Sequence, residues 1–113
     1  MRVLLVENHD VFAQIVTERF LAGHDVTRVA TLREARDLLA SARFAVVLVD
    51  YDLDDAKGDE LVRWLAAHAP DTRTIGISSR PDGNAALHAA GANAICAKQD
   101  FARIAELLDE LDQ

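Results

Sequence analysis

Five short runs of aliphatic and β-branched residues set the frame for this chain: RVLLV at 2–6, DVTRVA at 25–30, FAVVLVD at 44–50, TIGIS at 74–78 and AICAK at 94–98. Each is too short for a packed helix and has strand composition, so each is expected to be a strand. The run at 44–50 is apolar at consecutive positions, the pattern of a strand covered on both faces. Between the runs, apolar residues recur at helical spacing. Phe12, Ile15, Val16 and Phe20 form one face ahead of Gly23, a helix-stop residue. Thr31 with Glu34 is a capping-box pattern that opens a helix reaching about Ser41. Leu61, Val62 and Leu65 give a helix at 58–68 its inward stripe, and a short alanine-rich helix spans about 84–90, stopped by Gly91. Asp100 is expected to cap a last helix whose inward face is Phe101, Ile104, Leu108 and Leu111.

Strict alternation of strand and helix implies an α/β fold, a five-stranded parallel sheet with helices on both faces. Such sheets bind ligands beyond the carboxyl ends of their strands, so the residues that follow each run matter most. Strand one leads into Glu7-Asn8, strand three into Asp50, strand four into Ser78-Ser79 and strand five into Lys98. One polar residue after a strand says little; Ser78 alone would read as a turn or cap residue. Together they equip one rim with carboxylates, a hydroxyl and an amine. That set can hold a hard cation and a phosphoryl group beside a carboxylate nucleophile.

Charge narrows the classes of partner. A net charge of −7, with ten arginines and two lysines among 113 residues, argues against nonspecific nucleic-acid binding. No stretch approaches the ~18 to 20 apolar residues of a membrane span, and no secretory signal stands out, so a cytoplasmic location is expected. The single cysteine, Cys96, rules out an internal disulfide framework and reads as an inert core thiol. His9, His24, His68 and His88 lack the spacing of a metal cluster and are expected at the surface. Asp52, Asp54 and Asp55 read as a solvated acidic loop, and Trp64 as edge-of-core packing.

With these residues in register, the chain resembles the receiver domain of two-component response regulators. The resemblance covers essentially all of 1–113 as one receiver domain, with no output domain expected. It is carried by DYDLDDAKG, in which Asp50 ends strand three and Gly58 follows eight residues later, by Ser78 with a small residue after it, and by Lys98 at the end of strand five. The resemblance implies a flavodoxin-like sheet of order 2-1-3-4-5. It makes Asp50 the acceptor of a phosphoryl group from a sensor histidine kinase or phosphotransfer protein. Ser78 would bond a phosphoryl oxygen and Lys98 would offset the charge. Mg²⁺ would be held by Glu7, Asn8, Asp50 and the backbone carbonyl of Asp52. The signal would pass to a downstream protein through the helix 4–strand 5–helix 5 face, with no nucleic acid bound directly. A domain that is itself modified in this way is not expected to be an enzyme.

Several positions depart from the family pattern. The second acid after strand one is Asn8, a neutral ligand that gives up Coulombic attraction, so Mg²⁺ binding is expected to be weak. The proline after the strand-five lysine is Gln99, for which a trans peptide is expected. The proline after the strand-three motif is Asp54, and the aromatic three residues before the lysine is Ile95. These departures leave open a degenerate receiver, acting as a phosphorylation-independent protein-interaction module. A haloacid dehalogenase-type phosphatase, suggested by Asp50-Tyr51-Asp52, ranks last. That family's aspartate pair follows the first strand and needs a longer chain with a cap.

Overall fold

The structure, a computed structural model, describes residues 1–112. The elements are β1 (Arg2–Val6), α1 (Asp10–Arg19), β2 (Asp25–Val29), α2 (Leu32–Leu39), β3 (Val46–Val49), α3 (Gly58–His68), β4 (Arg73–Gly76), α4 (Pro81–Ala90), β5 (Ala94–Ile95) and α5 (Ile104–Leu111). All neighbouring strands pair in parallel, in the expected order β2-β1-β3-β4-β5.

The continuous apolar runs divide between two cores because successive side chains of a strand point to opposite faces. Val3, Leu5, Val46, Leu48, Ile75 and Ile77 pack with α1 and α5. Leu4, Val6, Val47 and Val49 pack with α2, α3 and α4. Leu61, Val62 and Leu65 are buried as expected. Thr31 caps α2, its hydroxyl oxygen accepting from the Glu34 amide at 3.1 Å. Cys96 is buried, and burial pushes its thiol pKa up. Trp64 sits at the edge of its core, stacked on His68 at 4.7 Å. Among the described residues no helix is long and apolar enough to cross a membrane.

Four helix readings need correction. The inward stripe of α1 is Ala13 and Val16, with Phe12 edge-on to Phe101 at 5.5 Å; Ile15 is 44% exposed. The helix stops at Arg19 and buried Leu21 carries the chain inward, so Gly23 is not the stop. Helix α4 starts at Pro81, earlier than Asn84, because proline suits the first helical turn, where its missing N–H costs nothing. Asp100 caps nothing. Its backbone is non-helical (φ −112°, ψ 28°) within a 3₁₀ turn at Lys98–Arg103, and α5 begins only at Ile104.

Candidate functional site

The sheet ladder continues past the strands and fixes the polar residues that follow them. The Glu7 amide donates to Val29 O at 3.0 Å, the Asp50 amide to Val6 O at 3.0 Å, and the Lys98 amide to Ser78 O at 3.2 Å. The site residues are therefore set by the same hydrogen bonds that build the sheet. Glu7 is fully buried and Asp50 is 3% exposed. The Lys98 side chain, 12% exposed, brings Nζ to 2.8 Å from Glu7 Oε1 and 3.4 Å from Asp50 Oδ2. Neither of those oxygens receives an aligned hydrogen bond, so the approach is chiefly electrostatic.

Burying two carboxylates together raises the cost of charging both. The Asp50 carboxyl is pushed up from 3.8 to about 6, first by burial, then by the Glu7 charge; Lys98 opposes both. A divalent cation would supply the missing positive charge. The donors fit one: Glu7 Oε1, Asp50 Oδ2 and Asn8 Oδ1 are all buried oxygens without a hydrogen-bond partner among the described residues. Asn8 itself is half-turned to other work, since its Nδ2 donates to Asp54 Oδ1 at 3.0 Å.

His9 lies at the surface as expected, its ring largely exposed, and its Nδ1 also lies 3.0 Å from Glu7 Oε2 and 3.5 Å from Lys98 Nζ. Glu7, His9 and Asp50 each offer one ligand atom, all within 4.8 Å of one another. The acidic loop after β3 is not simply solvated. Asp52 pairs with Lys57 and, at 3.4 Å, with Arg80. The hydrogen bond from Lys57 holds its carboxyl below the usual range. Its side chain is thus engaged outward. Asp54 holds Asn8, and Asp55 accepts the Leu32 and Arg33 amides at 2.9 and 3.1 Å, stapling the loop to the start of α2.

The β4–α4 segment is clamped by a residue the sequence did not single out. Buried Asn84 accepts from the Ser78 amide at 3.0 Å and donates to the Ser78 carbonyl at 3.2 Å. The Ser78 hydroxyl oxygen accepts from the Arg80 amide at 3.1 Å. Gln99 follows Lys98 with no cis peptide and donates from Nε2 to Ser79 O at 3.0 Å, tying the loop to β5. Two glycines permit close approach. A Cβ on Gly58 would lie 2.0 Å from Asp50 O, and one on Gly83 would lie 2.5 Å from Ser78 Oγ. Gly58 was legible as part of the Asp50 motif. Asn84 was read only as the start of an alanine-rich helix, and Gly83 lay just ahead of that stretch.

A buried aspartate and serine with a half-buried lysine at adjacent strand ends, beside a carboxylate-rich crevice, are the working parts expected of a receiver. The family model described as "Response regulator receiver domain" matches residues 3–109. The chain belongs to this family. A curated relative, the sensor protein TorS of Escherichia coli K12, is 33% identical over 81 residues, 70% of this chain. The matched part spans only 9% of that relative's length. Among solved structures, the signal receiver domain of a putative Luxo repressor protein from Vibrio parahaemolyticus is 22% identical, with a TM-score of 0.85 over 97% of this chain and 88% of that one. TrrA from Thermotoga maritima, a response regulator solved in complex with Mg²⁺-BeF, is 18% identical, with a TM-score of 0.85 over 97% of each chain. These structures share the receiver fold.

Proposed function

We propose that this receiver accepts a phosphoryl group on Asp50 from a sensor histidine kinase or phosphotransfer protein and passes the signal through a changed protein-binding surface. The observation that carries the reading is the placement of Asp50: buried, central in the sheet, with one carboxylate oxygen lacking a hydrogen-bond partner among the described residues and Lys98 Nζ at 3.4 Å. An Asp50 carboxylate oxygen attacks phosphorus in line, the phosphorus–donor bond breaks, and the donor leaves with its electron pair. Lys98 offsets the charge that gathers as two anions meet. Ser78 Oγ, now accepting from the Arg80 amide, has its own proton free to donate to a phosphoryl oxygen. Glu7, Asp50 and Asn8 would hold a divalent cation such as Mg²⁺, with the Asp52 carbonyl as a further donor. The cation supplies electrostatic stabilisation of the transferring group. That TrrA was solved with Mg²⁺-BeF supports this reading of a shared fold. The output face would be α4, β5 and α5, where Ala85, Ala89 and Ile95 are exposed. A cytoplasmic location fits such a role.

A second reading, the phosphorylation-independent interaction module, draws on Asn8, whose amide nitrogen is committed to Asp54. Intact mass after acetyl phosphate with a divalent cation separates the two. One phosphoryl adduct on wild type and none on Asp50→Asn is the expected result. An adduct that survives in Asp50→Asn refutes Asp50 as acceptor, and no adduct on wild type favours the interaction module.

A further inference from the structure

We propose that His9 is a metal ligand, and that with Glu7 and Asp50 it makes a nitrogen-containing site that takes a borderline divalent ion, Zn²⁺ or Mn²⁺, in preference to Mg²⁺. This rests on reading the crevice as a cation site and specifies which cation it favours. Chain geometry explains why His9 reaches the crevice. The chain bends at Asn8 just beyond β1, and the His9 amide donates to Glu7 Oε2 at 3.1 Å, which holds His9 over that carboxylate. Nδ1 of His9 accordingly meets Glu7 Oε2 at 3.0 Å, whereas the Asn8 amide nitrogen goes to Asp54.

The spacing suits a metal. Zinc bonds to nitrogen and oxygen are about 2.0–2.2 Å in a tetrahedral shell, which places ligand atoms roughly 3.4 Å apart. The three ligand atoms lie within 4.8 Å of one another, so closure takes a side-chain adjustment of at most about 1.4 Å. A second observation points to a ligand. Glu7 Oε1 and Asp50 Oδ2, on side chains that are almost wholly buried, have no hydrogen-bond partner among the described residues and are faced by the Lys98 ammonium at 2.8 and 3.4 Å. Lys98 Nζ, 3.5 Å from the His9 nitrogen, is the cation with which an incoming ion competes. The ring of His9 is exposed beyond Nδ1, so Nε2 can carry the proton into water while Nδ1 presents its lone pair.

The choice of ion follows from the donors. Mg²⁺ is held mainly by charge on hard oxygens and keeps much of its water, and Asn8 removes one formal charge from the usual acidic pair. An imidazole compensates little for Mg²⁺ but binds borderline first-row ions well. Losing a carboxylate and gaining a histidine thus moves selectivity in one direction.

Chelator-stripped protein titrated calorimetrically with Zn²⁺, Mn²⁺ and Mg²⁺, alongside His9→Gln and His9→Ala, tests the assignment. Wild type should bind Zn²⁺ at least about tenfold tighter than Mg²⁺, and both variants should lose at least about tenfold in Zn²⁺ affinity with Mg²⁺ affinity unchanged. Zn²⁺ should also shift the His9 imidazole nitrogen resonances of wild type more than those of His24, His68 or His88. Unchanged Zn²⁺ affinity in the variants, no preference over Mg²⁺, or an unshifted His9 ring overturns the proposal. A phosphoryl adduct formed with Mg²⁺ alongside those negative results would leave Asp50 as acceptor and remove only His9. No adduct, with His9-dependent Zn²⁺ binding intact, would do the reverse.

Discussion

Replacing Asp50 with asparagine removes a charge and keeps the shape, so it measures what the buried carboxylate costs the metal-free fold. The folded carboxyl holds its proton up to about pH 6, against 3.8 for the ordinary group. A difference of about two units corresponds to roughly 3 kcal/mol at full effect, and structural relaxation brings the expected value to about 2 kcal/mol. The sign follows from proton counting. Between about pH 4 and 6 the folded state binds more protons than the unfolded state, so stability falls as pH rises through that window. The penalty is absent below it and complete above it. Asp50→Asn should therefore be more stable than wild type by about 2 kcal/mol at pH 8 in chelator, about 8 °C in Tm for a domain of this size. The advantage should shrink towards zero near pH 4. Urea or thermal unfolding of both proteins across this range reads the difference, and carboxylates remote from Asp50 cancel in the comparison. A saturating divalent cation should reverse the order, because asparagine is the poorer ligand. A difference that does not vary with pH, or a variant less stable at pH 8 without metal, would refute the account of Asp50 as a buried group held against its charge.

Gly58→Ala places a methyl group 2.0 Å from the Asp50 carbonyl oxygen and 3.0 Å from Val49 Cγ1. It should destabilise by about 2 kcal/mol and depress phosphoryl-adduct yield, as checked by urea unfolding and intact mass. Asn84→Ala deprives the Ser78 amide and carbonyl of their shared side-chain partner. A loss of about 1–3 kcal/mol is expected, with amide exchange at Ser78 faster than in wild type.

Strand positions and the polar residues at their ends were readable from the chain because they rest on local regularities, whereas the strand order followed from the resemblance to receivers. A run such as VVLV must be covered on both faces whatever surrounds it, and a polar residue after such a run must emerge at the sheet rim. Asp50, Ser78 and Lys98 were found in this way, and the sheet ladder places them where that logic requires. The capping of α2 by Thr31 is equally local, a matter of three residues of spacing. Side-chain partners across the fold were a different matter. His9 read as a surface residue and is one, but nothing in its neighbourhood reveals that Lys98, 89 positions away, closes on the same carboxylate. Ile15 matched a helical face, but the helix is turned so that Ala13 and Val16 meet the sheet, a rotation set by contacts with Phe101 and its neighbours. Asp54 and Asp55 looked interchangeable as loop acids. Only the approach of β1 and α2 gives one an amide side chain and the other two backbone amides to hold. Periodicity and strand ends are properties of consecutive residues, so the sequence by itself determined the sheet and its acidic rim. Which carboxylate meets which donor depends on distances between segments far apart in the chain, and those exist only once the sheet has brought the strand ends together.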